Sequence, residues 1–285
     1  MSRYCIEHGV SIVGGDARLT IVSKILSERT KVCTYGLDTE DNKNILQCRD
    51  IKEVFKNNII ITAIPFSKDG VNINNMCNEN INIKDFFNQS INDNKLIITG
   101  KVPINVENKK MQIINILERE DFAVYNAIAT AEGAIASIVE NTKITIYDSN
   151  ILILGFGRIG KVLANRLKGL GANVYCSARK DDDFAWIETM GYKTITYEQV
   201  ENGILKFDVI VNTIPAEVLN EDCIKNIKKE CFVLDLASAP GGIDSRILDK
   251  YNIKNELYLG IPGKIAPVTS AKIIVKTIEN IIKNI

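Results

Sequence analysis

Asn150-Ile-Leu-Ile-Leu-Gly-Phe-Gly-Arg-Ile-Gly160 is the stretch from which the fold follows. An apolar, strand-like run enters a G-x-G-x-x-G turn, and a helix-period segment, residues 158–170, begins inside that turn. This order is what a dinucleotide-binding βαβ unit requires. Gly155 permits the tight turn, Gly157 leaves bare backbone for a pyrophosphate, and Gly160 lets helix and strand pack closely. Gly155, Gly157, Arg158, Ile159 and Gly160 are therefore the expected phosphate cradle, at a helix N-terminus whose N–H groups and dipole favour anions. A glycine turn that merely packs is the competing reading.

Outward from this stretch, short apolar runs alternate with helix-period segments almost from end to end. Strands are expected at residues 10–13, 31–35, 59–64, 96–99 and 122–125, and again at 150–154, 173–177, 208–212, 231–236 and 256–259. Leu19, Val22, Ile25 and Leu26 share one face of a first helix, and a short helix is expected at 83–87 within an Asn-rich, loop-like region. Strands separated by helical crossovers form parallel sheets covered on both faces. The halves also echo each other: Val13-Gly-Gly-Asp-Ala-Arg18 occupies the first strand-to-helix turn, and Ile61-Thr-Ala-Ile-Pro65 matches Val211-Asn-Thr-Ile-Pro215.

The expected fold is α/β, with two doubly wound, Rossmann-like parallel-sheet domains and an interdomain cleft. Residues 1–129 with 267–285 would form a substrate and partner domain completed by the C-terminal helix, 130–148 a connecting helix, and 149–266 the dinucleotide domain. In the tail, Ile273, Ile274, Ile278, Ile281 and Ile282 have helical spacing. Packing back on the first domain and swapping into a second copy both satisfy that pattern.

Composition narrows the function classes. The 35 Lys and Arg balance 35 Asp and Glu, so no basic excess draws in nucleic acid or an anionic membrane. No secretory signal and no uninterrupted apolar run of membrane-spanning length is visible, and the chain reads as cytoplasmic. Seven scattered cysteines without C-x-x-C spacing suggest neither a disulfide framework nor a zinc site, so no metal is expected. The single histidine, His8, excludes mechanisms that need two imidazoles.

The end of the strand after the glycine turn selects the coenzyme. An Asp or Glu about 20 residues beyond the turn holds the ribose hydroxyls of NAD. Here the sequence is Tyr175-Cys-Ser-Ala-Arg-Lys180, with Ser177 where the carboxylate belongs and Arg179 and Lys180 placed to pair with a 2′-phosphate. NADP(H) is the preferred reading; NAD(H) stays open because Asp181–Asp183 oppose the local positive field. Thr213, Ile214 and Pro215 end a strand beside the expected nicotinamide. The first turn lacks the third glycine, so a second dinucleotide is not expected there. Arg18, with Asp16, is suited to a substrate carboxylate, or else the two side chains simply pair.

Three further segments look overbuilt for packing: Thr130-Ala-Glu-Gly-Ala134, Leu234-Asp-Leu-Ala-Ser-Ala-Pro-Gly-Gly-Ile-Asp244, and Gly260-Ile-Pro-Gly-Lys-Ile-Ala-Pro-Val-Thr269. Together with the two glycine turns they resemble the A-subunit family of dipicolinate synthase over essentially the whole chain. The pairing of Asp-Leu-Ala-Ser-x-Pro-Gly-Gly with Pro-Gly-Lys-x-Ala-Pro is the specific part. The resemblance implies oxidation of a dihydrodipicolinate-type ring to dipicolinate with reduction of NAD(P), in the mother cell of a sporulating bacterium. It also implies a partner, a flavoprotein-like B subunit.

Dehydrogenases of similar architecture place a catalytic histidine before the terminal helix, where this chain has Lys264. Lys264 is the candidate base, since a partly desolvated lysine can exchange protons. Glu132 is expected to accept the proton or to orient Lys264, or else is a helix N-terminal acid that suits the dipole. A dianionic substrate calls for donor-rich subsites, for which Arg18, Lys264, Thr130, Ser238 and the backbone of Pro240, Gly241 and Gly242 are the candidates. Two other functions stay in play: an imine or oxo-acid reductase of the alanine-dehydrogenase-like class, and a non-catalytic nucleotide-binding subunit. Whether the chain forms a homo-oligomer is open.

Overall fold

Val10–Val13 (β1) is four apolar or small residues, each buried, as a strand in the middle of a covered parallel sheet must be. The computed structural model describes residues 4–40, 42–77, 79–89, 93–238 and 241–285. The chain divides into two compact units, the first running to Tyr125 and resuming at Ala266–Ile285, the second spanning Asn126–Ile265.

In the first unit β1 is followed by α1 (Ala17–Ser27), β2 (Val32–Tyr35), β3 (Ile45–Gln47), α2 (Ile51–Val54), β4 (Ile59–Thr62), α3 (Ile83–Phe87), β5 (Lys95–Thr99), β6 (Met111–Asn115) and the start of α4 (Glu120–Asn141). The six strands are parallel in the order β3-β2-β1-β4-β5-β6, with Ile12 opposite Thr34 on one side and Ile61 on the other. One face packs Ile12, Ile61 and Ile98 against Leu19, Val22 and Leu26 of α1. The other packs Val13, Ile60 and Ile97 against Phe55, Phe66, Phe86 and Phe87.

The second unit holds β7 (Asn150–Leu154), α5 (Arg158–Gly169), β8 (Asn173–Ser177), α6 (Asp181–Thr189), β9 (Lys193–Thr194), α7 (Tyr197–Gly203), β10 (Val209–Asn212), α8 (Glu221–Ile224), β11 (Phe232–Asp235), α9 (Ser245–Lys250), β12 (Lys254–Leu257) and α10 (Ile261–Ile265). Its sheet runs β12-β11-β10-β7-β8-β9, again parallel. Ile151, Ile153, Val211 and Leu234 face α4 and α5, and Leu152, Leu154, Ile210 and Val233 face α7, α8 and α9. The chain then returns to the first unit as α11 (Pro267–Lys283), whose Ile274, Ile278 and Ile281 join the α1 core. Arg29 after α1 pairs with Glu279 of α11 at 2.6 Å, so the tail packs back within its own chain.

Two expectations need correction. Residues 122–125, expected as a strand, are the first turns of α4. Phe-Ala-Val-Tyr favours a strand locally, but Glu120 and Asp121 open an unbroken run of helix formers in which Phe122, Ala129, Ala131, Ala134 and Ile138 are buried. The connecting helix therefore begins ten residues before Thr130 and ends at Asn141. By length and composition α4 is apolar enough to cross a membrane, and the face it turns inward fills the core of the second unit. The loop expected before α11 contains one helical turn, α10, which carries Lys264.

Candidate functional site

The glycine turn after β7 is built by close approach. Gly155 has φ +97°, and a Cβ there would lie 2.6 Å from Thr213 Oγ1. A Cβ on Gly160 would stand 2.2 Å from the Gly155 carbonyl oxygen. Gly157 differs: it is exposed, at the N-cap of α5, with no heavy atom of the described residues within 4 Å of its Cβ position. Among the described residues no side chain caps α5. The structure thus leaves open backbone and an uncapped 12-residue helix where a pyrophosphate would approach. Arg158 is exposed beside it and Ile159 half-buried.

Thr213 turns out to be a strut. Its hydroxyl donates to the Leu154 carbonyl at 2.9 Å and so braces the glycine turn from the end of β10. Ile214 packs against Gly155, and Pro215 is exposed.

At the end of β8 the structure shifts the expected recognition group. Ser177 is fully buried, and its carbonyl accepts the Gly155 N–H at 3.1 Å. Its Oγ has no hydrogen-bond partner among the described residues. Ser177 thus does not stand free at the strand tip, because its position falls inside the sheet. The exposed groups there are Arg179 and Lys180, whose side chains form no ion pair among the described residues. Of the three aspartates that follow, Asp183 is engaged by Lys161 at 3.7 Å.

The loop after β11 reads differently in three dimensions. Asp235 is 5% exposed, and its carboxylate accepts four N–H groups: Asn212 Nδ2 and Ala237 N on Oδ1, both at 2.9 Å, and Gly242 N at 2.7 Å and Ile243 N at 3.0 Å on Oδ2. Asn212, fully buried at the end of β10, also donates to the Ile214 carbonyl and accepts the Ile214 N–H. This network clamps the ends of β10 and β11 together.

Gly241 and Gly242, expected as backbone donors to substrate, are instead part of that clamp. The Gly241 N–H binds the Ser238 carbonyl at 2.9 Å and the Gly242 N–H binds Asp235, so neither is left to donate. Their lack of side chains is steric: a Cβ on Gly242 would meet the Ile214 carbonyl oxygen at 2.1 Å. Ser238 is exposed, and Pro240 lies outside the described residues.

The early start of α4 overturns two more assignments. Thr130 is buried in the helix interior, its hydroxyl donating to the Asn126 carbonyl at 3.0 Å, so it does not present a helix N-terminus to substrate. Glu132 is exposed and pairs with Arg166 of α5 at 3.3 Å; it neither opens the helix nor bonds Lys264. The Cβ position of Gly133, beside it, is 2.1 Å from Ile261 Cγ2, so this glycine lets α10 lie against α4. On α10, Lys264 is exposed and not partly desolvated as expected, because the short helix turns it outward, with Nζ 5.3 Å from the centroid of the Tyr258 ring. Burial, and then the charges of Glu256 and Glu140, hold the Tyr258 phenol above its usual range, so it stays neutral under that cation.

In the first unit Arg18 is committed to Asp16. Nε donates to Oδ1 at 2.9 Å and Nη2 to Oδ2 at 2.7 Å, while Nη2 also reaches the Ile64 carbonyl. The pairing alternative is the one realised, and Asp16 further caps α1 by accepting the Arg18 N–H. The turn beneath is closed to phosphate: the Asn74 carbonyl takes the Gly15 N–H at 2.7 Å and fills the space where Gly14 would carry a Cβ.

Asn212 and Asp235 were not among the expected site residues. The signal for them was present, since each is the polar residue that ends an otherwise apolar buried strand, and they sit opposite one another in register.

Comparison with known proteins agrees with these two halves. Residues 9–117 match the family described as the N-terminal domain of the dipicolinate synthase A-subunit, and residues 122–240 match the D-isomer specific 2-hydroxyacid dehydrogenase NAD-binding domain. The chain is 30% identical to the dipicolinate synthase A-subunit of Bacillus subtilis (strain 168), over 97% of this chain and 96% of that one. The crystal structure of the Bacillus halodurans A-subunit superposes with a TM-score of 0.86 at 29% identity, covering 96% of this chain and 97% of that one. For the crystal structure of the Bacillus subtilis A-subunit the TM-score is 0.87 at 28% identity, with 99% and 97% covered.

Proposed function

The chain belongs to the A-subunit family of dipicolinate synthase, and from that premise we propose that it oxidises a dihydrodipicolinate-type cyclic dicarboxylate to dipicolinate with NADP as hydride acceptor. Its second unit is an oxidoreductase-type NAD-binding domain. As the family's name implies a partner subunit, the proposal includes a flavoprotein-like B subunit beside it, in the mother cell of a sporulating bacterium.

The observation that carries the reading is the uncapped start of α5 with the open flank of Gly157, followed at the end of β8 by exposed Arg179 and Lys180. These residues fit a nicotinamide dinucleotide: the helix terminus takes the pyrophosphate and the two cations take a 2′-phosphate. The buried, unpartnered Ser177 hydroxyl lies between them in sequence. When bound, the coenzyme supplies a hydride acceptor. Aromatising the ring requires loss of one hydride and one proton. The proposed proton acceptor is the neutral amine form of Lys264, which has no acidic partner among the described residues and lies beside the Tyr258 ring. Ile214 and Pro215 offer an apolar side to the reacting ring, and Asn212 of the Asp235 network fixes the Ile214 backbone.

Purified chain given freshly prepared dihydrodipicolinate is expected to form one ultraviolet-absorbing pyridine dicarboxylate per coenzyme reduced, with kcat/KM for NADP about tenfold or more above that for NAD, a difference of roughly 1.4 kcal/mol. Reduction of an imine or oxo acid without an aromatic product would assign the alanine-dehydrogenase-like reading instead. Coenzyme binding without turnover, alone and with the B subunit, would assign a non-catalytic role.

A further inference from the structure

We propose that the first unit carries an anion subsite of its own, a pocket at the carboxyl ends of β1 and β4 in which Lys68 holds one carboxylate of the substrate. This rests on the dicarboxylate reading above and deepens it. In the order β3-β2-β1-β4-β5-β6 the chain leaves β1 in one direction and β4 in the other, so the crevice between their ends is the switch point where doubly wound sheets bind ligands. A cavity of 120 Å³ lies there, lined in part by Gly15, Asp16, Ile64, Pro65, Lys68 and Asn75. At about 30 Å³ per water molecule, that space suits a carboxylate with its hydration and is far too small for a dinucleotide.

Eliminating the donors already in use leaves one cation. Gly14 N–H is taken by the Tyr35 carbonyl and Gly15 N–H by the Asn74 carbonyl. The Asn74 amide donates to the Pro65 carbonyl at 2.8 Å, and the Asn75 amide to the Glu79 carbonyl at 2.7 Å. Asp16 and Arg18 neutralise one another. The neighbouring Asp69 is turned back into its own loop, accepting Val71 N and Asn72 N at 2.8 Å, the Ser67 hydroxyl at 3.0 Å and the Asn72 amide at 3.0 Å. Asp69 therefore holds residues 67–72 in one shape, its carboxylate bonded into that loop and not to the Lys68 amine. The Lys68 amine, exposed at the pocket, has no hydrogen bond or ion pair among the described residues. With Asp16 bound to Arg18, Lys68 is the one mobile cationic donor lining the pocket, which is what a carboxylate takes.

The test is isothermal titration of the full chain, loaded with NADP, with dipicolinate and with picolinate, its monocarboxylate analogue. Wild type is expected to bind dipicolinate more tightly. In Lys68→Gln the dipicolinate affinity should fall about tenfold or more while picolinate and NADP affinities stay within about threefold. Lys68→Arg, keeping the charge, should recover most of the loss. A Lys68→Gln variant that binds dipicolinate as wild type does removes the subsite and leaves the proposed function standing. Wild type that binds neither acid removes the dicarboxylate reading, and the subsite with it.

Discussion

Replacing Asp235 with alanine is expected to lower the unfolding temperature of the second unit by about 10 °C or more, from a loss of roughly 3–5 kcal/mol. Asp235 is 5% exposed and accepts four N–H groups from three chain segments. Removing the carboxylate strips a partner from three buried donors and from the half-buried Ile243 N–H, and each unsatisfied buried group costs about 1–3 kcal/mol unless the site relaxes or admits water. Asparagine at the same position keeps one acceptor oxygen but turns an NH2 towards two of the donors, so Asp235→Asn should fall between alanine and wild type. Trp186, the sole tryptophan, lies on α6 in the second unit and is 53% exposed, which makes its fluorescence a reporter of this unit. An alanine variant that unfolds within about 2 °C of wild type would mean that the network contributes little.

Alanine at Gly157 and at Gly160 should separate two kinds of glycine. Gly160→Ala puts a methyl 2.2 Å from the Gly155 carbonyl oxygen, so α5 must shift from β7, at about 1–3 kcal/mol. Gly157→Ala meets nothing among the described residues within 4 Å and has an ordinary negative φ of −80°, so its stability should match wild type. Both variants should nevertheless lose NADPH affinity in a fluorescence titration, by about tenfold or more, roughly 1.4 kcal/mol. For Gly157 the loss has one source, a methyl in the space reserved for the pyrophosphate. Gly157→Ala with unchanged affinity would show that the turn serves packing alone.

Much of the scaffold was legible because buried parallel strands announce themselves. Residues 10–13 and 173–177 are strands at the expected bounds, since continuous apolar or small runs ended by glycine or polar residues leave little choice. The short edge strands Ile45–Gln47, Met111–Asn115 and Lys193–Thr194 escaped because edge residues are half-exposed and lack that signature. Residues 122–125 misled because local β propensity lost to the helix that continues through them.

The site divides along the same physical line. Gly155, Gly157 and Gly160 could be read from local spacing, because strand, turn and helix are consecutive. Asp235 could not, because its meaning depends on Asn212, 23 residues away and aligned only by strand pairing. Gly241 and Gly242 looked like ligand donors, but what requires glycine there is the Ile214 carbonyl, from another loop, at Gly242, and the Asp235 carboxylate and a φ of +96° at Gly241. Arg18 offered two partners in sequence, and the bidentate geometry two residues back was the nearer one.

A crystal structure of this chain with NADP bound tests most directly whether the Gly155–Gly160 turn is a coenzyme site. The pyrophosphate should lie over Gly157 at the start of α5, the 2′-phosphate should contact Arg179 or Lys180, and the nicotinamide should rest beside Ile214 and Pro215. Density for the coenzyme elsewhere, with the turn empty at saturating concentration, would contradict the assignment of the second unit and the oxidation built on it.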